Sequence, residues 1–155
     1  MSSPYSVNYN DVATFYDQRT AFGYLDQLGP ELAQLAQEVG ARQILDLGCG
    51  TGRSLETMVR HLLALPVCFG LDLSAGMLAK AQILDTKFRL VQASASRLPF
   101  RDHTFDLITS ILSFHHFPDK QPVVDAVYAL LRPGGAFAIS NFDPRDSENI
   151  YPIYE

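Results

Sequence analysis

Gly48, Gly50 and Gly52 alternate with Cys49 and Thr51, with Asp46 two positions ahead of them. A backbone without Cβ atoms can turn sharply and let a ligand touch it. If the loop feeds a helix, the free N–H groups at the helix start favour a carboxylate or phosphate. Glycine-rich turns of this kind also form for packing alone, so context has to decide. A dinucleotide fingerprint G-x-G-x-x-G would need glycine at position 53 or 55, where Arg53 and Leu55 stand. The phosphate loop G-x-x-x-x-G-K-[ST] does not occur. A second acid, Asp72, follows 20 residues after Gly52. At the end of a strand its carboxylate can accept two hydrogen bonds from ribose hydroxyls. Asp46 adds negative potential suited to a ligand that carries an ammonium group. His115 and His116 are the remaining pair with chemistry: a general base for an acceptor that must lose a proton, or a backbone cap and a solvated ring. Cys49 reads as a small loop residue, because no base lies within sequence reach to activate its thiol.

These residues need elements to hold them. Gln43 to Leu47 reads as a strand running straight into the glycine loop. Ahead of it, Leu32, Leu35, Ala36 and Val39 fall at helical spacing, with Pro30 at the helix start and Gly40 at its end. Behind the loop, Leu55, Met58, Val59, Leu62 and Leu63 share one helical face, which Pro66 terminates. Val67 to Leu71 is a continuous apolar strand ending at Asp72. Ser74 caps a helix with Met77, Leu78, Ala81 and Leu84 inward. Strands follow at Phe88 to Val91 and Phe105 to Ile111. A helix opened by Pro122 turns Val123, Val124, Val127, Leu130 and Leu131 inward. Pro133-Gly134-Gly135 ends that helix, and Gly135 to Ser140 is a fifth strand.

Strands alternating with helices imply βαβ units and a parallel sheet. Strands that are apolar throughout imply cover on both faces. The expected fold class is therefore α/β: a Rossmann-like doubly wound sheet, helices on both faces, with about five parallel strands visible. The loops after the strands then line one rim, where ligands sit. That rim holds Asp46 to Gly52, Asp72, Ser94 to Ser96 and Ser110 to His116. The expected segments are an aromatic-rich stretch 1–29, a binding domain 30–142 and a short tail 143–155.

The 155 residues are 47% hydrophobic and 19% charged, an ordinary globular composition. A net charge of −5, with no run of like charge, argues against a nucleic-acid partner. Leu62 to Leu71, broken by Pro66, is too short for a membrane span. The first residues lack a basic region and apolar core, so a secretory signal is not expected. Two cysteines make neither a disulfide framework nor a metal motif. A cytoplasmic location and no metal site follow as expectations.

The ordered blocks resemble a known family. Leu45-Asp46-Leu47-Gly48-Cys49-Gly50-Thr51-Gly52 is similar to the first motif of class I S-adenosylmethionine-dependent methyltransferases. Gly70-Leu71-Asp72-Leu73-Ser74 followed by Met77-Leu78 resembles their second-strand motif. Leu98-Pro99-Phe100, then Phe105-Asp106-Leu107-Ile108, then Leu131-Arg132-Pro133-Gly134-Gly135 resemble the remaining blocks. Order and spacing are similar to the small-molecule branch that includes ubiquinone/menaquinone methyltransferases, over about residues 40–142.

The resemblance implies S-adenosyl-L-methionine as cofactor and a small-molecule methyl acceptor as partner. It places Gly48, Cys49, Gly50 and Gly52 at the methionine end of the cofactor and Asp46 near its amino group. It places Asp72 on the ribose, Leu73 beside the adenine, and Ser94 and Ala95 at the adenine amine. Ser94 departs from the family, which often has an aspartate there. His115 and His116 are the implied catalytic candidates. Tyr9, Tyr16 and Asp17 resemble a segment that covers the site in related enzymes; packing of aromatics on the sheet is the plainer reading. Arg19 reads as a solvated side chain.

The complete family fold implies further strands after the fifth, for which residues 143–155 carry no signal. The outer edge of Ala136-Phe137-Ala138-Ile139 then lacks a neighbour, which predicts self-association through it or marginal stability. Three functions compete: methyl transfer to a small molecule, a cofactor-binding module or fragment without turnover, and a nicotinamide oxidoreductase. Arg53 and Leu55 disfavour the third.

Overall fold

The computed structural model describes residues 8–17 and 22–141. Tyr5, Arg19 and the tail 143–155 lie outside the described residues. One sheet of five parallel strands forms the centre: β1 (Gln43–Leu47), β2 (Val67–Asp72), β3 (Arg89–Gln92), β4 (Phe105–Ile111) and β5 (Leu131–Ser140), in the order β3-β2-β1-β4-β5. The helices are α1 (Tyr9–Tyr16), α2 (Phe22–Glu38), α3 (Arg53–Val59), α4 (Ala75–Leu84) and α5 (Lys120–Leu130), with a 3-10 turn at Phe114–His116.

Alternation along β1 divides the core. Ile44 faces a cluster with Leu25, Leu32, Ala33 and Ala36 of α2 and Leu55 and Met58 of α3. Leu45 and Leu47 face Val123, Val127 and Leu130 of α5. Helices thus cover both faces, the architecture expected from the uniformly apolar strands. Between β3 and β4 no helix intervenes. Leu98 and Phe100 cover the sheet there, and Phe69, Phe100 and Phe105 meet edge-to-face at 5.0–5.8 Å between ring centres.

Besides α5, which opens at Lys120 two residues ahead of Pro122, four boundaries differ from the sequence reading. First, α2 begins at Phe22, so Pro30 lies inside it rather than at its start. The apolar period was legible only downstream of the proline. Its neighbour Gly29 explains this stretch: a Cβ there would stand 2.5 Å from Thr57 Cγ2, so only glycine lets α2 cross α3 this closely. Second, α3 ends at Val59, seven residues before Pro66. Leu63 is fully exposed and belongs to no helical face. Third, β3 runs Arg89–Gln92, with Phe88 just outside it yet buried in the core. Fourth, β5 begins at Leu131 rather than Gly135, taking in residues 131–134 that the sequence assigns to the end of the helix, through a register irregularity opposite Phe105/Leu107. Val124 is exposed on the outer side of α5, since Val123, Val127 and Leu130 already supply a buried stripe.

The floor of the sheet, at the amino ends of the strands, is fastened by one carboxylate. Asp106 Oδ2 accepts the backbone N–H groups of Arg42 and Gln43, both at 2.8 Å, and the Arg132 guanidinium meets both of its oxygens at 2.9 and 3.0 Å. Despite partial burial, these donors hold the Asp106 carboxyl below the usual carboxylate range.

Candidate functional site

The carboxyl ends of the strands carry the loops that the sequence singled out. Gly48, Gly50 and Gly52 all have positive φ, 72°, 54° and 83°. Gly48 needs glycine twice over: a Cβ would fall 2.5 Å from Ser113 Cβ and 2.7 Å from its Oγ. Above Gly50, by contrast, a Cβ would meet nothing within 4 Å. The loop is therefore packed tightly on the β4 side and open where its backbone turns outward.

Hydroxyls tie this loop to the one after β4. Ser110 Oγ and Ser113 Oγ both donate to the Leu47 carbonyl, at 3.1 and 2.6 Å. The Gly48 and Cys49 N–H groups donate to the Leu71 carbonyl, which joins the β1 and β2 loops. Cys49 is buried, and its Sγ lies where a Cβ on Gly70 would stand at 2.7 Å. Burial, and then the charges of Asp46 and Asp72, push its thiol well above the ordinary range. It is a packing residue of the loop and no nucleophile.

Asp46 sits beneath the loop, 1% exposed. Ser54 Oγ donates to one of its oxygens and Thr109 Oγ1 to the other, the latter at 2.7 Å. Its carboxylate thus organises β1, α3 and β4 and is not presented at the rim. Burial pushes its pKa up to about 6, against the two hydroxyl bonds that lower it. A carboxyl that holds its proton more tightly when folded than when unfolded stabilises the fold at low pH and loses that contribution as pH rises through about 6. Asp46→Asn should keep a hydrogen bond to each hydroxyl and flatten the fall in stability between about pH 4 and pH 6. Urea midpoints measured across that range check this; a fall as steep as in the unsubstituted chain refutes it.

Asp72 is half-buried at the end of β2, where its Oδ2 accepts the Gly50 N–H at 2.9 Å and its Oδ1 the Ser74 N–H at 2.8 Å. Each oxygen has a further lone pair. Leu73, the next residue, exposes 70% of its surface, an apolar side chain standing at the rim. Ser94 lies on the loop after β3, with its hydroxyl 2.8 Å from that of Ser96, and Ala95 beside it is buried.

The structure brings the aromatic segment to this same rim. Tyr9 lies 2.8 Å from His116 Nε2 through its hydroxyl and packs edge-on against Tyr16, 6.2 Å between ring centres. At Asn10, Oδ1 accepts from Ser74 Oγ at 2.8 Å and from the Gly76 N–H at 3.0 Å. Asp17 accepts from Thr51 Oγ1 at 2.7 Å. α1 is thus fastened to the loops after β1, β2 and β4. The sequence reading places Thr51 and Ser113 on the rim without assigning their bonds, and it misses Asn10, Ser54 and Thr109. Their hydrogen bonds join positions as far apart as 66 residues, and no short-range spacing marks them. His115 points elsewhere than His116: its Nδ1 lies 3.2 Å from Asn141 Oδ1.

Residues 45–139 match the methyltransferase domain family. The chain belongs to the class I S-adenosylmethionine-dependent methyltransferase family. It is 33% identical over 118 residues to a demethylmenaquinone methyltransferase of Lactiplantibacillus plantarum, covering 72% of this chain and 50% of that protein. With the demethylmenaquinone methyltransferase of Thermus thermophilus it shares 31% over 143 residues, covering 88% of this chain and 64% of that one. A solved S-adenosylmethionine-dependent methyltransferase from Mesorhizobium loti superposes with a TM-score of 0.63 at 35% identity, over 74% of this chain and 53% of that one. The chain therefore spans between half and two-thirds of the length of these two curated relatives. Family and fold imply S-adenosyl-L-methionine as the cofactor. The residues present fit it: an open glycine loop, a carboxylate with spare acceptors at the end of β2, and an exposed apolar side chain next to it. No helix among the described residues is long and apolar enough to cross a membrane.

Proposed function

We propose that this chain transfers a methyl group from S-adenosyl-L-methionine to a small-molecule acceptor. The observation that carries the proposal is the arrangement around Asp72: its carboxylate, the open turn at Gly50 and the exposed Leu73 form one continuous rim. In this reading the Gly48, Cys49, Gly50 and Gly52 backbone receives the methionine end. Asp72 accepts the ribose hydroxyls, Leu73 covers one adenine face, and Ser94 and Ala95 meet the adenine edge. Asp46 acts from below, by fixing the loop. The bound cofactor supplies a sulfonium-activated methyl group; the protein supplies position and field. His116 and His115 are the rim groups able to take a proton from the acceptor. The domain start expected at residue 30 falls inside α2, so the binding domain of this proposal takes in the whole helix from Phe22; a cytoplasmic location belongs to the same proposal.

Calorimetric titration tests it. S-adenosylhomocysteine should bind and NAD should not. Ser94→Asp should bind tighter by about 1 kcal/mol, because a charged acceptor strengthens one hydrogen bond at the adenine edge. Unchanged or weaker binding by that variant would remove Ser94 from the adenine site. Demethylmenaquinone, the acceptor in the names of the two relatives, is the first methyl acceptor to assay.

A further inference from the structure

Among the side-chain pairs joined at the rim from distant parts of the chain, one sets a phenol against an imidazole. Tyr9 comes from α1 and His116 from the 3-10 turn after β4, 107 positions apart, with Oη and Nε2 at 2.8 Å. Their rings meet edge-on at 5.4 Å between centres. His115 lies against the other side of His116, at 3.9 Å between ring centres, and its own Nδ1 is engaged with Asn141. α1 is fixed independently by Asn10 on Ser74 and Gly76 and by Asp17 on Thr51. The pair is therefore not what docks the helix; it is what the docked helix brings together.

Resting on the proposed methyl transfer, we infer that Tyr9 and His116 form a proton relay serving acceptors that lose a proton, such as hydroxyl groups or activated carbon acids. As the acceptor atom forms its bond to the methyl carbon, the carbon–sulfur bond breaks with its electron pair left on sulfur. The acceptor's proton passes to Tyr9 Oη while the tyrosine's own proton moves to His116 Nε2. The positive charge lost at the sulfonium reappears as imidazolium, and the exposed ring returns the proton to water. In the resting relay His116 is neutral, with Nδ1 protonated and Nε2 free to accept. The loss of hydration against its neighbours, and then the adjacent His115, push its pKa down to about 4, which keeps the ring neutral at neutral pH; the tautomer is what the relay itself requires. Among the described residues, the titratable groups packed around it are Tyr9, with Tyr16 behind it, on α1 and His115 on its own turn.

Two arms test the relay on the full chain. Nitrogen-15 NMR of the histidine rings should show His116 as the Nδ1-protonated tautomer. In Tyr9→Phe the His116 Nε2 resonance should lose the shift of an accepted hydrogen bond, while S-adenosylhomocysteine affinity stays within twofold. With demethylmenaquinone in its quinol form as the probe, Tyr9→Phe and His116→Asn should each lower kcat by about 10²-fold. The double variant should fall no further, as for two groups acting as one unit. Full turnover in Tyr9→Phe, or an Nε2-protonated His116, overturns the relay and leaves the methyltransferase reading intact. S-adenosylhomocysteine binding with no methyl transfer by the unsubstituted chain to demethylmenaquinol overturns the acceptor class assigned here. Failure to bind S-adenosylhomocysteine overturns the functional reading itself.

Discussion

Gly48→Val should abolish binding of S-adenosylhomocysteine and strip the chain of much of its stability. Two costs coincide at this position. Its φ of 72° lies in the left-handed region, where an L-residue pays about 1–2 kcal/mol and a β-branched one more. Its Cβ would also stand 2.5 Å from Ser113 Cβ, and forced overpacking of a tight site adds about 1–3 kcal/mol. Ser113 cannot retreat freely, because its Oγ donates to the Leu47 carbonyl and lies against Ser110 Oγ at 2.8 Å. A typical domain has about 5–15 kcal/mol of net stability to lose. Thermal unfolding and calorimetric titration read the two effects separately. The same substitution at Gly40, where φ is 59° and the added Cβ meets nothing within 4 Å, should cost the backbone strain alone. Equal losses at both positions would show that the clash with Ser113 is absorbed.

Asp72→Ala is the second large effect. In the proposed ribose role, removing this acceptor costs roughly 2–4 kcal/mol, less than the full sum of two charge-assisted bonds because Asp72 is only half-buried. The structure adds a further consequence, because the same carboxylate holds the Gly50 and Ser74 N–H groups. Alanine therefore leaves two backbone donors without their acceptor at the mouth of the site, and the loop after β1 loosens together with the one after β2. S-adenosylhomocysteine affinity should drop about 30- to 1,000-fold, with a measurable loss of thermal stability even without ligand. Affinity within twofold of the unsubstituted chain would take Asp72 out of the site.

Positions whose role depends on near neighbours were legible in the sequence. β1 and β4 fall on the residues that the apolar runs marked, and Ser74 caps α4 as its place before Met77-Leu78 suggests. The boundaries that slipped are those set by distant partners. α2 extends back past Pro30, where packing of Leu25 and the close crossing at Gly29 outweigh a proline's cost in a helix. α3 stops early, leaving Leu63 in water, although its spacing suited a helical face. At the rim, the left-handed turns of the three glycines and the place of Asp72 at the end of β2 are legible because they depend on local spacing. That Asp46 lies under the loop, and that Tyr9 meets His116, depends on parallel strands and a docked helix that only the fold supplies.

The bolt at Asp106 has an evolutionary reading. It ties the entry to β1 and the start of β5 to β4 at the end of the sheet farthest from the ligand rim. A frame fastened on its far side leaves the exposed rim positions, such as Leu73 and Ser94, open to change without disturbing it, unlike Gly48 and Asp72, which are built into the loops. Ser94, exposed on the loop after β3, is a position where such a frame tolerates variation. New acceptors are then within reach of a few loop substitutions, with the scaffold inherited unchanged.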